Sequence, residues 1–278
     1  MSLEAAVREA TGRGVRTARR VGGGDINEGW RLELDDGTPA FAKTRPDAGA
    51  GEYAAEAAGL SWLAAPRALR VPEVLGVSES VLVLEWVDAG GWGDPAALGA
   101  GLAELHAAGA PDFGATAHDG PTRIGPLLLP NDPAPDWATF YAERRLMPVL
   151  PRARLGLDGT RTVERVCERI GELAGPQEPP ARLHGDLWSG NVLWDRAGEP
   201  WLIDPGAYGG HREVDLAMLN LFGAPGPAFL AAYEERHPLA GGHEERVELW
   251  QLFPLLVHAA LFGGGYRQAA ANAAARYA

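Results

Sequence analysis

Three oxygen-bearing side chains lie close together in the second half of the sequence. Asp186 and Asn191 are five residues apart, and Asp204 follows thirteen residues later, directly after the apolar run Trp-Leu-Ile at 201–203. The segment 195–198, Asp-Arg-Ala-Gly, has the composition of a turn and predicts that the flanking strands form a hairpin. Such a hairpin would bring the three side chains to one end of the strand-rich insert 182–204.

These residue types are those that phosphoryl transfer from ATP requires. The protein contributes metal ligands and orientation, because the transition state concentrates negative charge on the γ-phosphoryl group. Mg²⁺ prefers oxygen ligands from one or two side chains plus phosphates, so Asn191 and Asp204 are the predicted metal ligands. Asp186 is the predicted catalytic base, which orients the acceptor hydroxyl and accepts its proton. A chance polar loop is the alternative, and the spacing together with the predicted hairpin favours the phosphotransferase interpretation.

A glycine-rich segment near the N-terminus is the predicted phosphate-binding turn. Backbone N–H groups in such turns point at phosphates, and the predicted contacts are Gly22, Gly23, Gly24 and Asn27. Lys43, on the predicted strand 40–43, would hold the α and β phosphates. Glu56, on the predicted helix 52–64, is its expected partner, and Glu52, one turn earlier, is the alternative.

The pattern of apolar residues divides the chain near residue 88. Residues 1–88 predict strands and turns with one helix between them, which would form an N-terminal nucleotide-binding lobe. The alternating run 30–34, the turn Asp35-Asp36-Gly37 and the returning strand 40–43 predict a hairpin in this lobe. Residues 89–278 form the predicted C-terminal catalytic and substrate-binding lobe, with helices at 137–150, 160–174, 214–221, 227–236 and 244–262. Asp94 and Pro95 predict the N-cap and first turn of a further helix at the start of this lobe. The segment 111–135, rich in Pro, Gly and Asp, predicts a long ordered loop. The predicted fold class is α+β, with a small antiparallel-sheet lobe and a larger, mainly helical lobe.

Composition excludes several other classes of protein. The 278 residues suffice for two lobes that share a cleft, and the net charge of −12 with scattered basic residues argues against nucleic-acid binding. One cysteine, Cys167, allows neither an intramolecular disulfide nor a multi-cysteine zinc site. The sequence lacks a signal peptide and any apolar run of the ~18–20 residues that span a bilayer, so a soluble cytoplasmic protein without a membrane partner is expected. Its oligomeric state stays open.

The motifs resemble a known family. The segment 184–192 (His-Gly-Asp-Leu-Trp-Ser-Gly-Asn-Val), the triplet Ile-Asp-Pro at 203–205 and the segment 208–218 are similar to the fructosamine kinase (ketosamine-3-kinase) family. This family belongs to the aminoglycoside phosphotransferase-like branch of the protein-kinase-like fold, and the likeness extends over nearly the whole chain. The resemblance implies ATP- and Mg²⁺-dependent phosphorylation of the 3-hydroxyl of a small-molecule or protein-bound ketosamine: a fructosamine, ribulosamine or erythrulosamine. Such a reaction leads to deglycation.

The resemblance also implies roles for individual residues. The backbone of Glu85 and Val87 would bond the adenine edge at an inter-lobe hinge, and His184 and Asp215 would support the catalytic loop. Trp188 is expected to stack on the sugar or its amine substituent, with packing as the alternative. His211 and its neighbour Arg212 are expected to contact the substrate or a phosphate.

One triplet imitates a metal-binding motif. Asp112-Phe113-Gly114 has the same sequence as the metal-binding triplet of protein kinases. It precedes Asp186, however, whereas the metal-binding aspartate must follow the catalytic segment. It is therefore interpreted as a turn.

Two other functions are compatible with the sequence. A small-molecule kinase for another hydroxylated substrate, such as an aminoglycoside or choline, would use the same catalytic residues. A non-catalytic nucleotide-binding module is the second alternative, and the presence of Lys43, Asp186, Asn191 and Asp204 argues against it.

Overall fold

The computed structural model describes residues 1–22, 27–118, 120–223 and 225–278. The N-terminal part is a five-stranded antiparallel sheet with strand order β1-β2-β3-β5-β4 and two helices. Its elements are α1 (Leu3–Thr11), β1 (Val15–Val21), β2 (Glu28–Leu34), β3 (Pro39–Thr44), α2 (Glu52–Ala64), β4 (Val74–Val77) and β5 (Leu82–Glu85).

The two helices pack on opposite faces of this sheet. Side chains alternate between faces along a strand, so Val81 and Val83 pack in the cluster that contains α1, whereas Leu82 and Leu84 pack against α2. The predicted β2–β3 hairpin is confirmed: Gly37, at φ 87°, lies in the turn, and Leu34 N–H donates to the Thr38 carbonyl at 2.9 Å.

The prediction of a single helix in this part of the chain is wrong, because the structure contains a second one, α1. Ser2 caps it by accepting a hydrogen bond from Ala5 N–H at 3.3 Å, and Gly12 ends it at φ 72°. Only Ala6 and Val7 are buried along its nine residues, so the sequence carries too narrow an apolar stripe to predict it.

The remainder of the chain is mainly helical and contains three two-stranded sheets among the described residues. Its helices are α3 (Pro95–Ala107), α4 (Trp137–Phe140), α5 (Met147–Ala153), α6 (Gly156–Leu173), α7 (Glu213–Leu221), α8 (Pro227–Arg236), α9 (His243–Phe262) and α10 (Gly265–Ala275). Its strands are β6 (Thr122–Ile124), β7 (Leu127–Leu129), β8 (Ala181–Leu183), β9 (Val192–Trp194), β10 (Pro200–Leu202) and β11 (Tyr208–Gly210). A π-helical turn, Tyr141–Leu146, joins α4 to α5.

The helices predicted for this part of the chain are present, although the π-helical turn Tyr141–Leu146 interrupts the one at 137–150. Two other segments differ from the prediction. Helix α10 was not predicted, because its Ala-rich sequence lacks a clear apolar stripe. The expected loop 111–135 contains the short hairpin β6–β7, with Leu127 and Leu129 buried in the core. The sheet of the N-terminal part ends at Glu85 and α3 begins at Pro95, so the proposed lobe boundary at 88–89 falls between them.

A large hydrophobic core holds the helical part together. Trp250 on α9 lies at its centre and packs edge-on against Tyr141, with ring centroids 5.0 Å apart. The Tyr141 hydroxyl donates to the carbonyls of Leu249 and Trp250 at 3.0 and 3.1 Å and accepts from Phe253 N–H. Within the described residues, none of the helices combines the length and apolarity needed to cross a membrane.

Candidate active site

A glycine turn after strand β8 directs Asp186 into the cleft. Gly185 has φ 80°, a conformation that side-chain-bearing residues rarely adopt, and a Cβ at this position would clash with the carbonyl of Gly206. The backbone that carries Asp186 is therefore packed directly against the turn that follows Asp204. Both segments continue into the paired strands β8 and β11, in which Leu183 faces Tyr208.

Asn191 joins the two aspartate-bearing segments. Its Nδ2 donates to the Asp186 carbonyl at 2.8 Å and lies 3.4 Å from Asp186 Oδ2 and 3.5 Å from the Asp204 carbonyl. The predicted hairpin produces this arrangement, because Val192 on β9 pairs with Leu202 on β10. The structure thus brings the predicted base and the two predicted metal ligands together.

Lys43 connects this cluster to the N-terminal sheet. Its Nζ lies 2.9 Å from both carboxylate oxygens of Glu56 and 3.1 Å from Asp204 Oδ1. Asp204 has φ 53°, and its side chain is 42% exposed, which leaves the carboxylate accessible from the cleft. Glu52 bonds Arg45 at 2.7 Å instead, so Glu56 is the partner of Lys43.

The electrostatic environment raises the pKa values of both Asp186 and Lys43, for different reasons. Burial, reinforced by the negative charge of Asp204, raises the pKa of Asp186 to about 7, against the opposing effect of the Asn191 hydrogen bond. Burial disfavours the ammonium form of Lys43, but the carboxylates of Glu56 and Asp204 outweigh it and raise the pKa of this lysine. Asp186 can therefore exchange a proton near neutral pH, while Lys43 stays charged.

His184 and Asp215 hold the catalytic loop from behind. His184 Nε2 lies 2.9 Å from the Ile203 carbonyl, and Asp215 accepts hydrogen bonds from the N–H groups of His184 and Gly185 at 2.7 and 3.0 Å. Asp215 lies inside α7 and does not cap it. Burial lowers the pKa of His184, which favours the neutral imidazole.

Two further supporting residues were missed by sequence reasoning. His106 on α3 lies 3.2 Å from Asp215 through Nε2 and 2.8 Å from the Tyr233 hydroxyl through Nδ1. Both side chains are buried. The buried position of His106 on an apolar helix face was the available signal, but such a histidine has no predictable partner until α3, α7 and α8 are placed together.

Only some of the residues expected around the nucleotide fall within the described parts of the chain. Gly22 follows strand β1, whereas Gly23 and Gly24 lie outside the described residues. Asn27 Oδ1 is 3.5 Å from the Tyr53 hydroxyl. At the expected hinge, Glu85 N–H donates to the Glu73 carbonyl at 2.8 Å, and the Val87 carbonyl accepts from Ala89 N–H at 2.9 Å.

A small pocket opens beside Asp186. Helices α7 and α9 and strand β6 supply its apolar walls, which include Ile124, Met218, Phe253 and Val257, and His258 adds a polar group. The His258 ring centroid lies 4.8 Å from that of Phe222, which in turn packs edge-on against Trp188 at 6.0 Å. Trp188 is 39% exposed, so this row of aromatic rings extends from the pocket to the surface.

The structure does not bring His211 to the cleft, in contrast to the expectation of substrate contact. Strands β8 and β11 are antiparallel and pair Ala181 with Gly210, so His211 lies at the end opposite to Asp186. Its ring is buried and stacks on Trp250 with centroids 5.5 Å apart. Arg212 is likewise occupied, because it donates to both carboxylate oxygens of Glu178 at 2.6 and 2.8 Å.

The Asp112-Phe113-Gly114 triplet forms a turn on the outer side of β11. Gly114 N–H donates to the Gly209 carbonyl at 2.8 Å, and Phe113 packs on Trp137 with ring centroids 5.6 Å apart. Its position agrees with the interpretation as a turn.

Comparison with solved structures defines the class of fold. An aminoglycoside phosphotransferase solved with AMP-PNP and hygromycin B superimposes with a TM-score of 0.60, covers 100% of this chain and 98% of that one, and is 21% identical in sequence. A crystal structure from Thermobifida fusca, assigned by name as a fructosamine-3-kinase, superimposes with a TM-score of 0.91 at 45% identity and covers 99% of this chain and 97% of that one. The fold is therefore the two-lobed, protein-kinase-like α+β fold that the sequence predicted.

Sequence relatives identify the family within this class. The family model described as fructosamine kinase matches residues 1–277. A protein of Synechocystis named as a ketoamine kinase is 38% identical over 264 residues, 92% of this chain and 88% of the relative. "Protein-ribulosamine 3-kinase, chloroplastic" of Arabidopsis thaliana is 36% identical over 260 residues, 90% of this chain and 79% of the relative. The chain belongs to the fructosamine kinase family.

Proposed function

We propose that this protein transfers the γ-phosphoryl group of ATP to the 3-hydroxyl of a ketosamine. The observation that carries the proposal is the position of Asp186. It borders a small pocket on one side and lies 3.4 Å from Asn191 Nδ2 on the other, and the same nitrogen lies 3.5 Å from the carbonyl of Asp204, whose carboxylate binds Lys43. Membership in the fructosamine kinase family supports the choice of acceptor.

Asp186 serves as the base in this reaction. The acceptor hydroxyl oxygen attacks the γ-phosphorus, the bond from that phosphorus to the bridging oxygen of ADP breaks, and the hydroxyl proton passes to the Asp186 carboxylate. Asn191 fixes the orientation of this carboxylate through its hydrogen bond to the loop. Lys43, held by Glu56, offsets the charge of the nucleotide phosphates.

The side chains in the cleft fit a magnesium ion that is shared with the nucleotide. Mg²⁺ is usually bound through one or two side-chain oxygens together with phosphate oxygens and water, and two such side chains are present here. Asp204 supplies a carboxylate, and Asn191 directs its Nδ2 at the Asp186 carbonyl, which leaves its Oδ1 as a ligand atom. When bound, Mg²⁺ neutralises the charge on the β- and γ-phosphate oxygens.

We place the sugar in the cleft beside Asp186, where the small pocket forms an apolar wall. Apolar walls with few polar groups are typical of ligand pockets, and the aromatic row from His258 to Trp188 provides stacking surfaces for the sugar or its amine substituent. After phosphorylation at carbon 3, the adduct is unstable and releases the amine, so the overall outcome is deglycation.

A substrate panel tests the proposal. ATP consumption and phosphate transfer are measured with ribulosamine, erythrulosamine and fructosamine derivatives of lysine, with Asp186→Asn as the inactive control. Ribulosamine comes first because the Arabidopsis relative carries that name. Turnover on any of the three supports the proposal. Turnover only on an aminoglycoside or choline would show that the protein is a kinase for a different acceptor. The absence of transfer from Mg²⁺-ATP to every acceptor would indicate a non-catalytic nucleotide-binding module.

A further inference from the structure

The β6–β7 hairpin is fixed to the C-terminal lobe. Leu127 and Leu129 are buried, and Asn131 Nδ2 donates to the Thr122 hydroxyl at 3.0 Å. The Asn131 side-chain oxygen accepts in turn from Arg145 at 2.8 Å, and Arg145 is completely buried. Because its anchor lies in the core, this hairpin moves with the helical lobe.

One face of this hairpin belongs to the catalytic cleft. The Ile124 side chain lines the pocket together with Asp186, and a Cβ placed on Gly206 would lie 3.3 Å from the Arg123 carbonyl. Strand β6 thus forms the wall between the pocket and the turn that follows Asp204. An acceptor bound beside Asp186 would lie against this wall.

The Arg123 side chain leaves the same strand towards the other lobe, as expected for neighbouring residues of a strand. Its guanidinium donates to the Ala50 carbonyl at 3.1 Å. It also covers Gly49, where an added Cβ would lie 2.9 Å from a guanidinium nitrogen. A charged donor on a carbonyl is among the stronger types of hydrogen bond.

The segment that Arg123 contacts leads directly into the helix that holds Lys43. Helix α2 begins at Glu52, and Gly51, in a left-handed conformation at φ 68°, gives it no side-chain cap. Glu52 accepts a hydrogen bond from Gly49 N–H at 3.1 Å, which keeps the segment compact. One turn further along, Glu56 bonds Lys43 at 2.9 Å. A displacement at Gly49 and Ala50 is therefore transmitted to the lysine that grips the nucleotide.

We propose that Arg123 is a positioning residue that couples binding of the acceptor beside Asp186 to the binding of ATP by Lys43. The acceptor holds strand β6 through Ile124, β6 holds the start of α2 through Arg123, and α2 holds Lys43 through Glu56. This inference rests on the proposed kinase function and adds to it a route by which the two substrates favour each other's binding. Coupling of this kind is reciprocal, so ATP also tightens acceptor binding.

Titration calorimetry tests the coupling. The dissociation constant of AMP-PNP with Mg²⁺ is measured with and without saturating Nα-acetyl-ribulosyl-lysine, and the ratio of the two is the coupling factor. We expect a factor of about fivefold for the wild-type protein, about one for Arg123→Ala, and recovery in Arg123→Lys, which keeps one charged donor. The control Arg16→Ala removes an exposed arginine that pairs with Glu33 at 3.5 Å on the outer edge of the sheet, and its coupling factor should equal that of the wild type.

A second measurement works without any acceptor. AMP-PNP should slow amide hydrogen exchange in the β6–β7 hairpin, residues 122–129, in the wild type and in Arg123→Lys but not in Arg123→Ala. An unchanged coupling factor, or unchanged nucleotide-induced protection of the hairpin, in Arg123→Ala would overturn the inference. Failure of the wild type to bind any ketosamine contradicts the proposed function instead, and the exchange measurement then decides the role of Arg123 separately.

Discussion

The ammonium of Lys43 lies 3.1 Å from the carboxylate of Asp204, an ion pair that joins strand β3 of the sheet to the turn after strand β10. The two residues are 161 positions apart in the sequence. Glu56 bonds the same ammonium from α2, so one lysine is shared between a positioning carboxylate and a predicted metal ligand.

Replacing Asp186 by Asn should abolish most catalysis and spare nucleotide binding. The amide keeps the size of the side chain but cannot accept the hydroxyl proton, so kcat should fall by about 10²–10⁴-fold. The affinity for AMP-PNP, measured by calorimetry, should stay within about twofold of the wild type. A variant that retained more than about a tenth of the turnover would show that another group is the base.

Asp204 and Asp112 each begin an Asp-x-Gly triplet, but changing each to Asn should have different effects on activity. Asp204→Asn removes a carboxylate from the predicted metal site, so the apparent affinity for Mg²⁺ and the turnover should both fall by at least about tenfold. Asp112→Asn changes an exposed residue in the turn beside β11 and should leave both within about twofold. Initial rates over a range of Mg²⁺ concentrations separate the two cases.

The raised pKa of Asp186 predicts a pH dependence of activity. The base must be ionised, so kcat/KM should rise with pH through about 7 and then level off, provided that both substrates are kept at fixed concentrations. Over the same range, the affinity of the Asp186→Asn variant for AMP-PNP should change much less. A profile already flat between pH 5 and 8 would contradict the assignment of this pKa to the base.

The same shift predicts an effect on stability. The pKa of Asp186 is about 7 in the folded protein and ~3.9 in an unfolded chain, so the folded state prefers the protonated form. Ionisation therefore costs folded-state stability as pH rises from about 4 to 7, and this loss persists at higher pH. Asp186→Asn removes the loss and should raise Tm at pH 8 by on the order of a few degrees, with the gain shrinking towards pH 4. Calorimetric scans at both pH values measure the difference.

Replacing Asp215 by Ala should destabilise the protein strongly. Its carboxylate accepts from two backbone N–H groups and lies beside His106, so its removal leaves buried donors without partners. The free energy of unfolding should fall by about 3–5 kcal/mol. Asp158→Ala, at an exposed position in the first turn of α6, is the matched control and should change it by less than about 1 kcal/mol. Urea denaturation provides both values.

Trp188 should act on the acceptor and not on the nucleotide. Trp188→Ala removes the outer ring of the aromatic row, so KM for the ketosamine should rise by about 5–20-fold while KM for ATP stays within about twofold. Trp92, which is 99% exposed, is the control, and Trp92→Ala should leave both constants unchanged. Equal effects on the two Michaelis constants would assign Trp188 to packing.

Patterns that are local in sequence predicted most of the fold. Three features were predicted from signals that each lie within a few residues, and all three are present: the Asp35–Gly37 turn, the Asp94 cap of α3 and the Asp195–Gly198 turn. Helices α1 and α10 escaped prediction because neither carries a wide apolar stripe. The hairpin in the segment 111–135 escaped prediction because Pro and Gly surround its short strands, a composition typical of loops.

One part of the candidate site could likewise be predicted from local sequence, whereas another part depends on tertiary packing. The convergence of Asp186, Asn191 and Asp204 followed from one hairpin, which spacing can predict. The contacts of Asp215 with His106, and of Arg123 with Ala50, join segments more than 70 residues apart and depend on how helices and lobes pack. The burial of His211 follows from the register of β8 and β11, which the sequence of neither strand specifies.

The close contact between the Gly185 and Gly206 backbones has a consequence for how this enzyme can be observed at work. Asp186 and Asp204 sit on two segments that touch without side chains between them, so a rotation of one lobe against the other would leave their separation unchanged. Lys43 lies on the N-terminal sheet, so its distance to Asp204 would change with such a rotation. A pair of spectroscopic labels across the lobes would therefore report opening and closing, whereas a pair placed on the two catalytic segments would serve as an internal ruler of fixed length.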